Sequence, residues 1–183
     1  MNNSLTTLET DRLVLRPFDL SDAKDVQRLA GDRMIADTTG NIPHPYEDGM
    51  AEKWISKHSE LFKEGKGVHF AITDKTNRKF LGAISLMNMI KGHQAELGYW
   101  IGKPFWNFGY CTEAARTILE YSFRGLQLNR VHGRHITRNP ASGRVMSKIG
   151  MAHEGCRRSH GWRWGKFEDL ELYGILKADW EQF

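Results

Sequence analysis

The chain has 183 residues, 40% hydrophobic and 26% charged, a composition that excludes a disordered protein, a low-complexity scaffold and a repeat array. Its net charge of +4 suits an anionic ligand, but the charges are too few and too evenly spread along the chain to indicate nucleic acid binding. Two cysteines far apart in sequence provide no disulfide framework, which favours a reducing compartment.

The N-terminal stretch MNNSLTTLETDR lacks the basic and apolar regions of a signal peptide, and the most apolar stretch, 80–90, is too short and too polar to span a bilayer. We therefore expect a cytoplasmic protein with no membrane partner. It should fold as one domain over 1–183, with a flexible segment at 1–9. The eight histidines include no HExxH, and an HxxH pair such as His132 and His135 is typical of a protein surface, so we expect no metal.

The first half of the chain predicts a strand, two helices and a hairpin. Alternation that ends in a proline is typical of a strand, and apolar residues at helical spacing predict the two helices. Two β-rich runs joined by a polar turn predict the hairpin. The predicted elements are a strand at 10–18, a helix at 21–30, a loop at 38–46, a helix at 50–61 and strands at 68–73 and 79–87.

The second half predicts strands on either side of two further helices. The predicted elements are a strand at 95–101, a helix at 111–124, a strand at 130–136, a helix at 139–150 and strands at 152–158 and 168–176. This order combines an antiparallel half with one β-α-β crossover. It predicts an α+β (mixed α/β) domain built on a single sheet of about seven strands with about four flanking helices.

The stretch PFWNFGYCTEAA, at 104–115, joins a predicted strand to a predicted helix. Gly109 lies directly before the helix, where a residue without a Cβ lets the chain turn sharply and lets an anion approach the backbone. The first N–H groups of a helix have no partner inside it and carry about half a positive charge. The chain has neither GxxxxGK[ST] nor GxGxxG, which excludes the nucleotide P-loop and the dinucleotide fingerprint. A purely structural glycine at a helix entry is the alternative.

Three separated motifs carry a resemblance to a known family: TDRLVLRPF, AELGYWIGKPFWNFGYCTEAA and NRVHGRHITRNPASGRVMSKIGM. Over essentially the whole chain they resemble the GNAT N-acetyltransferase superfamily, specifically the ribosomal-protein N-terminal acetyltransferases of the RimJ/RimL type. The resemblance implies a mostly antiparallel sheet, splayed between the fourth and fifth predicted strands to admit acetyl-CoA. It also implies that backbone N–H groups of Phe108, Gly109, Tyr110, Cys111 and Thr112 hold the pyrophosphate of acetyl-CoA.

Two residues depart from the pattern Q/R-x-x-G-x-G/A that the family has at this joint. Trp106 occupies the first place and Cys111 the last. A cysteine is small enough for the last place, so we interpret Cys111 as a spacer. A catalytic thiol is the remote alternative, because no base is patterned beside the cysteine.

Asn139 and Pro140 are typical of an N-cap followed by the first turn of a helix, a structural role that the residues alone predict. The resemblance adds a hydrogen bond from Asn139 to the pantetheine arm. It also places Ser142 near the thioester sulfur, where a hydroxyl can protonate the leaving thiolate. Many family members use a tyrosine four residues before the closing glycine for this step, but here that position is Met146, which has no proton to give.

The resemblance implies that backbone N–H groups of the fourth predicted strand stabilise the oxyanion, which indicates those of Tyr99, Trp100 and Ile101. Two residues are candidates for the general base. Glu96 lies on the same strand and can take a proton through water, or it can be a rim carboxylate in an ion pair. His160 lies where relatives carry a carboxylate, and an imidazole titrates near neutrality, but an exposed loop histidine is the alternative.

The resemblance makes one activity the leading hypothesis: transfer of an acetyl group from acetyl-CoA to a primary amine, the N-terminal amine of a ribosomal protein, by direct attack in a ternary complex. A small-molecule acetyltransferase acting on a polyamine, an aminoglycoside or another antibiotic is the alternative within this chemistry. An inactive CoA-binding or ribosome-binding protein is the alternative of another class. We expect no nucleic acid partner and a monomer or homodimer, with the acceptor chosen by residues 38–46 together with the second predicted helix, and by the loop 157–166. A dimer contact or ordinary strand packing is the alternative role for the aromatic and basic residues of that loop.

Overall fold

The computed structural model describes residues 5–182, which form one open sheet of eight strands with helices on both faces. The strand bounds are Leu8–Glu9 (β1), Leu13–Pro17 (β2), Val68–Asp74 (β3), Phe80–Ile90 (β4), Gln94–Ile101 (β5), Arg130–Ile136 (β6), Ala152–Arg163 (β7) and Lys166–Leu176 (β8). They lie in the order β1-β2-β3-β4-β5-β6-β8-β7, and every neighbouring pair is antiparallel except β5 and β6. The predicted α+β class is confirmed, with one strand more than expected.

Seven α-helices flank this sheet within residues 5–182. Their bounds are Ala23–Ala30 (α1), Arg33–Thr38 (α2), Met50–Ile55 (α3), His58–Lys63 (α4), Tyr110–Glu120 (α5), Pro140–Lys148 (α6) and Lys177–Trp180 (α7). The prediction of about four helices missed the short α2 and α7 and the break between α3 and α4. None of the helices in the described part of the chain is long and apolar enough to cross a membrane.

The segment expected to be flexible at 1–9 contains β1, whose Leu8 lies opposite Leu15 of β2. Leu5 and Leu8 also pack against the main core, where burial of their side chains stabilises this end of the chain. Residues 1–4 lie outside the described residues. Leu8 and Glu9 therefore form the edge strand of the sheet.

The loop predicted at 157–166 is mostly a hairpin of β7 and β8, whose strands reach Arg163 and resume at Lys166. Pairing with β8 extends β7 past the point where its own sequence, rich in arginine and glycine, predicts a strand to end. His160 therefore lies on β7, at the edge of the sheet, and not in a loop.

The sheet separates two apolar cores. On one face, Leu97 and Ile101 of β5 pack with α5 into the larger core. On the other face, Trp100 packs against the cluster that includes α1 and α3. Successive side chains of a strand point to opposite faces, so every residue of β5 can be placed by its parity. We call these the α5 face and the α1 face.

The strands β5 and β6 pair at three positions only, ending at Glu96 opposite His132. Beyond this point β5 remains paired with β4 as far as Ile101, and β6 remains paired with β8 as far as Ile136. The two strands thus diverge toward their C-terminal ends, from which the chain leads into α5 and α6. They are the fourth and fifth predicted strands, so the predicted splay is confirmed. We call this opening the β5–β6 cleft.

Candidate active site

The joint between β5 and α5 places the first turn of a helix at the mouth of the cleft. Gly109, the N-cap, has a left-handed backbone with φ +80°, which residues with a Cβ rarely adopt. The N–H groups of Tyr110, Cys111 and Thr112 lie in the first turn of α5, where no carbonyl within the helix can accept from them. The predicted glycine requirement thus has a backbone cause, and donors are available there for an anion.

Arg12 lies beside this joint, although the sequence analysis does not assign it to the site. Its Nη1 donates to the Phe108 carbonyl at 3.0 Å, and its guanidinium pairs with Glu113 at 2.6 Å. The same guanidinium lies over the ring of Tyr110, 4.8 Å from the centroid. Because Glu113 offsets its charge, the arginine here holds the Phe108 carbonyl in place beside the helix N-terminus. The residue belongs to the TDRLVLRPF motif, but no pattern in the sequence shows that the start of β2 lies next to α5.

Cys111 packs in the first turn of α5 against the main core. Burial raises the pKa of its thiol to about 12, so the sulfur stays protonated at neutral pH. A protonated thiol is a poor nucleophile, which supports the interpretation of Cys111 as a spacer.

Ser142 of α6 and Tyr99 of β5 are joined by two hydrogen bonds. The Ser142 Oγ donates to the Tyr99 hydroxyl at 3.0 Å, and the Tyr99 hydroxyl donates to the Ser142 carbonyl at 2.8 Å. Burial raises the pKa of Tyr99 well above its ordinary value, so the phenol stays a proton donor. Met146, one turn further along α6, is fully buried and offers no such proton. The side chain of Tyr99, predicted only as a backbone donor, is thus the partner of the candidate acid.

Asn139 occupies the N-cap position of α6, as predicted, but its side chain makes no capping hydrogen bond. The predicted side-chain cap is therefore wrong. Instead, Nδ2 of Asn139 donates to the carbonyl of Thr38 at 3.4 Å. Thr38 is the last residue of α2, and a carbonyl at a helix end has no partner inside the helix, so it competes for the amide. Asn139 consequently links the mouth of the cleft to α2.

Two backbone N–H groups of β5 point into the cleft. The hydrogen bond from the Gly102 N–H to the Leu81 carbonyl fixes which peptide groups face β4. Because the antiparallel pattern repeats every second residue, the Trp100 N–H also faces β4, whereas those of Tyr99 and Ile101 face the side of β6. Since β6 has diverged there, the N–H groups of Tyr99 and Ile101 are available to an oxyanion. The direction of the peptide group excludes Trp100 from the predicted set.

The two predicted bases occupy different places. Glu96 lies at the vertex of the cleft, but its Oε1 pairs with Arg134 Nε at 3.0 Å and its Oε2 accepts from Asn88 Nδ2 at 2.9 Å. The ion-pair alternative for Glu96 is therefore what the structure shows. His160 is exposed on β7, and β8 separates that strand from β6. The structure does not bring His160 to the cleft.

The two segments expected to choose the acceptor are in contact with each other. Arg163, at the end of the hairpin, donates hydrogen bonds to the backbone carbonyls of Ala36, Gly40 and Ile42. Its guanidinium also lies over the ring of Trp164, 4.2 Å from the centroid. The arginine thereby supplies donors to one carbonyl in the last turn of α2, that of Ala36, and to two carbonyls of the segment that follows the helix.

A second arginine joins the same segments from the strand side. Arg138, just after β6, pairs with Asp37 of α2 at 2.8 Å and with Glu168 of β8 at 2.8 Å. The arrangement forms one continuous surface on the α1 face, which we call the α2–hairpin wall and define as residues 36–46 and 157–168.

A match to a known family model identifies the family to which this chain belongs. The model of the acetyltransferase (GNAT) domain matches residues 12–152, from the edge of β2 to the start of β7. The chain belongs to the GNAT acetyltransferase family. The match includes the joint at Gly109, the cleft and α6. This GNAT protein is therefore an acyltransferase, as the sequence resemblance implies.

Similar proteins of this GNAT family match along nearly the whole chain. The "Putative ribosomal N-acetyltransferase YdaF" of Bacillus subtilis is 40% identical, over 88% of this chain and 91% of its own length. The ribosomal protein uS5-alanine N-acetyltransferase of Escherichia coli is 26% identical, over 94% and 92%. The structure of a spermidine N-acetyltransferase from Vibrio cholerae in complex with CoA and spermine has a TM-score of 0.82 and 19% identity, covering 94% of this chain and 99% of that one. The last is a likeness of fold.

Proposed function

We propose that this GNAT enzyme transfers the acetyl group of acetyl-CoA to the N-terminal amine of a ribosomal protein. The observation that carries the proposal is the 40% identity to YdaF over nearly the full length of both chains, because that protein is described as a ribosomal N-acetyltransferase. The relation to the uS5-alanine enzyme supports the same acceptor class and the expected cytoplasmic location.

Acetyl-CoA fits the cleft in one direction. Its pyrophosphate needs positive charge and N–H donors, which the first turn of α5 supplies, and Arg12 fixes the backbone at Phe108 beside it. The pantetheine arm then enters between β5 and β6, passing Asn139, and the thioester carbonyl accepts from the N–H groups of Tyr99 and Ile101. In this position the sulfur lies toward Ser142 of α6.

The reaction proceeds by direct attack of the amine. The nitrogen lone pair forms a bond to the carbonyl carbon, and the C=O electron pair moves to the oxygen, whose charge the two β5 N–H groups stabilise. The C–S bond then breaks, and the thiolate takes a proton from the Ser142 Oγ, which regains one from the nitrogen of the former ammonium. The protonated thiol of Cys111 supports a route without a covalent enzyme intermediate.

A polyamine is the second candidate acceptor, because an enzyme with the same fold is described as a spermidine N-acetyltransferase with bound spermine. An inactive CoA-binding or ribosome-binding protein is the candidate of another class. Sequence identity favours neither of these two candidates, since the spermidine enzyme is 19% identical to this chain.

Acetyl-CoA consumption measured against three sets of amines tests the proposal. The sets are N-terminal peptides of ribosomal proteins, polyamines and aminoglycosides, and the control peptides have the same sequences with acetylated N-termini. We expect the highest kcat/KM with a free N-terminal peptide and no turnover with its blocked control. A higher kcat/KM with a polyamine or an aminoglycoside contradicts the proposed acceptor. Tight CoA binding with no turnover of any amine supports the inactive alternative.

A further inference from the structure

The last register pair before β5 and β6 diverge is Glu96 opposite His132. Residues directly opposite each other in neighbouring strands project their side chains to the same face of the sheet. Glu96 shares the parity of Trp100 along β5, so both side chains lie on the α1 face. His132 therefore stands at the vertex of the cleft, on the α1 face, beside Glu96.

The acceptor approaches from this same α1 face. The donors for acetyl-CoA belong to α5 and α6, which lie over the other face, and the α2–hairpin wall lies over the α1 face. The base that prepares the amine must be on the side from which the amine arrives. His132 meets this condition, whereas the carboxylate oxygens of Glu96 are already held by Arg134 and Asn88.

The imidazole of His132 is free to react. It is half-buried, and neither ring nitrogen makes a hydrogen bond to any residue in the range 5–182. Its neighbour on β8 is Gly174, which adds no side chain, so the space there is filled by the side chains of Glu154 and Arg130. The half-buried ring keeps part of its surface open to solvent, from which a substrate ammonium or a bridging water can reach it.

The charged groups around His132 come as two ion pairs. Glu96 pairs with Arg134 on the side of β5, and Glu154 pairs with Arg130 on the side of β7 and β8. Burial is the largest influence and lowers the pKa of His132; Arg130 and Arg134 add to the lowering, whereas Glu96 and Glu154 act against it. The imidazole is consequently neutral at physiological pH, which is the form that accepts a proton.

We propose that His132 is the general base of the acetyl transfer. The substrate ammonium gives one N–H proton to a ring nitrogen of His132, directly or through one water, and the nitrogen keeps the electron pair with which it attacks the thioester carbon. After the C–S bond breaks, the Ser142 Oγ gives its proton to the thiolate and regains one from the second N–H of the nitrogen, and the imidazolium of His132 returns its proton to solvent. The products are the N-acetyl amine, the free thiol of CoA and one proton.

The HxxH spacing does not make His132 part of a metal site. Residues three apart in a strand point to opposite faces, and the buried His135 indeed lies on the α5 face, with its Nδ1 at 2.8 Å from the Ile136 carbonyl. Across residues 5–182 no group of three or more His, Cys, Asp or Glu side chains is placed to hold a metal ion. The structure thus separates the two histidines and gives His132 different surroundings.

Kinetics across pH test this assignment, with His132→Gln as the variant and His93→Gln, in an exposed turn, as the matched control. We expect His132→Gln to lower kcat/KM about 100-fold at neutral pH and to remove the acidic limb of the rate profile, with an unchanged Kd for acetyl-CoA. Added imidazole should restore part of the rate of His132→Ala. A wild-type pH profile in His132→Gln, or an acidic limb lost only in Glu96→Gln, overturns the proposal.

The inference rests on the proposed reaction but not on the proposed acceptor. The kinetics use whichever primary amine gives the highest turnover, so peptides failing where polyamines succeed refutes the ribosomal acceptor and leaves the His132 test intact. If no amine is acetylated, NMR titration of the His132 ring, assigned by comparison with His132→Gln, gives the answer. A neutral ring at pH 7 is expected, and an imidazolium at that pH overturns the proposal.

Discussion

Single backbone and side-chain positions decide whether the cleft can hold an anionic cofactor. Gly109 is the clearest case, because φ of +80° allows glycine and, among residues with a Cβ, favours asparagine and aspartate. The side chains of asparagine and aspartate differ in charge but are nearly equal in size. Asparagine and aspartate at this position therefore separate the backbone requirement from the electrostatic one.

We predict that Gly109→Asn keeps the rise in Tm caused by acetyl-CoA and that Gly109→Asp loses it, because a carboxylate at the α5 N-terminus occupies and repels the place of the pyrophosphate. Thermal unfolding with and without acetyl-CoA measures both. Equal shifts in the two variants would mean that the pyrophosphate binds elsewhere.

A second residue-scale prediction concerns the leaving thiolate. Ser142→Ala should lower kcat about 100-fold while changing the Kd of acetyl-CoA little, because the hydroxyl acts when the C–S bond breaks. Ser147→Ala is the matched control, since its Oγ donates to the Gly143 carbonyl within the same helix. Steady-state kinetics and acetyl-CoA titration provide the comparison. Equal kcat values in the two variants would remove Ser142 from the mechanism.

The sequence predicted which residues belong to the motifs. It did not predict which way their backbone N–H groups point or which distant residues they contact. The sequence motifs locate Gly109 and Ser142, because their chemistry depends on position in the chain. The direction of the Trp100 N–H and the closeness of Arg12 to Phe108 depend on strand register and on contacts distant in sequence. In the sequence, His132 belongs to an HxxH pair that is typical of a protein surface. Its position at the cleft follows only from the divergence of β5 and β6.

Helix α2 and the β7–β8 hairpin form the α2–hairpin wall, to which we assign the choice of acceptor. Sequence patterns located most strands, since β6 was predicted at its observed bounds of Arg130–Ile136. They missed α2, which has six residues and is held by contacts to Arg138 and Arg163 from distant parts of the chain. Short elements of this kind gain their stability from tertiary contacts, which local propensity does not report.

We predict that Arg163→Gln loosens the α2–hairpin wall. Backbone amides at 39–46 should exchange hydrogen about tenfold faster, because the variant loses the charged hydrogen bonds that Arg163 donates to this segment. Each such bond contributes about 1.5–3 kcal/mol at most. Lys166→Gln is the control, since it removes the same charge from the residue opposite Arg163 in the hairpin. Hydrogen exchange followed by mass spectrometry measures both. Equal exchange in the two variants would show that the arginine does not hold this segment.

For the whole molecule, two buried histidines couple folding to pH. His58 and His69 stack with ring centroids 4.2 Å apart, and both nitrogens of His58 are buried without a partner among the described residues. Burial lowers the pKa of His58 to about 3 and that of His69 to about 4. In the unfolded chain the same rings take up protons near pH 6.5.

The unfolded state therefore binds more protons than the folded state below about pH 6.5, and the free energy of unfolding should fall as the pH drops from about 6.5 to 4. We predict a loss of about 2 kcal/mol per imidazole between pH 7 and pH 5. His58→Leu should lessen the loss, and His93→Gln should leave it unchanged. Urea unfolding at pH 7 and pH 5 measures it. Identical pH dependence in His58→Leu and the wild type would contradict this role.

We propose that the molecule joins an acetyl-CoA cleft to a binding site for a peptide N-terminus. The most direct measurement is intact-mass spectrometry of purified ribosomal proteins incubated with the enzyme and acetyl-CoA, with fragmentation to locate the modification. We predict one added acetyl group on the N-terminal amine of at least one protein, absent when the Gly109→Asp variant replaces the enzyme. Ribosomal proteins that stay unmodified while the same enzyme acetylates spermidine would contradict the account.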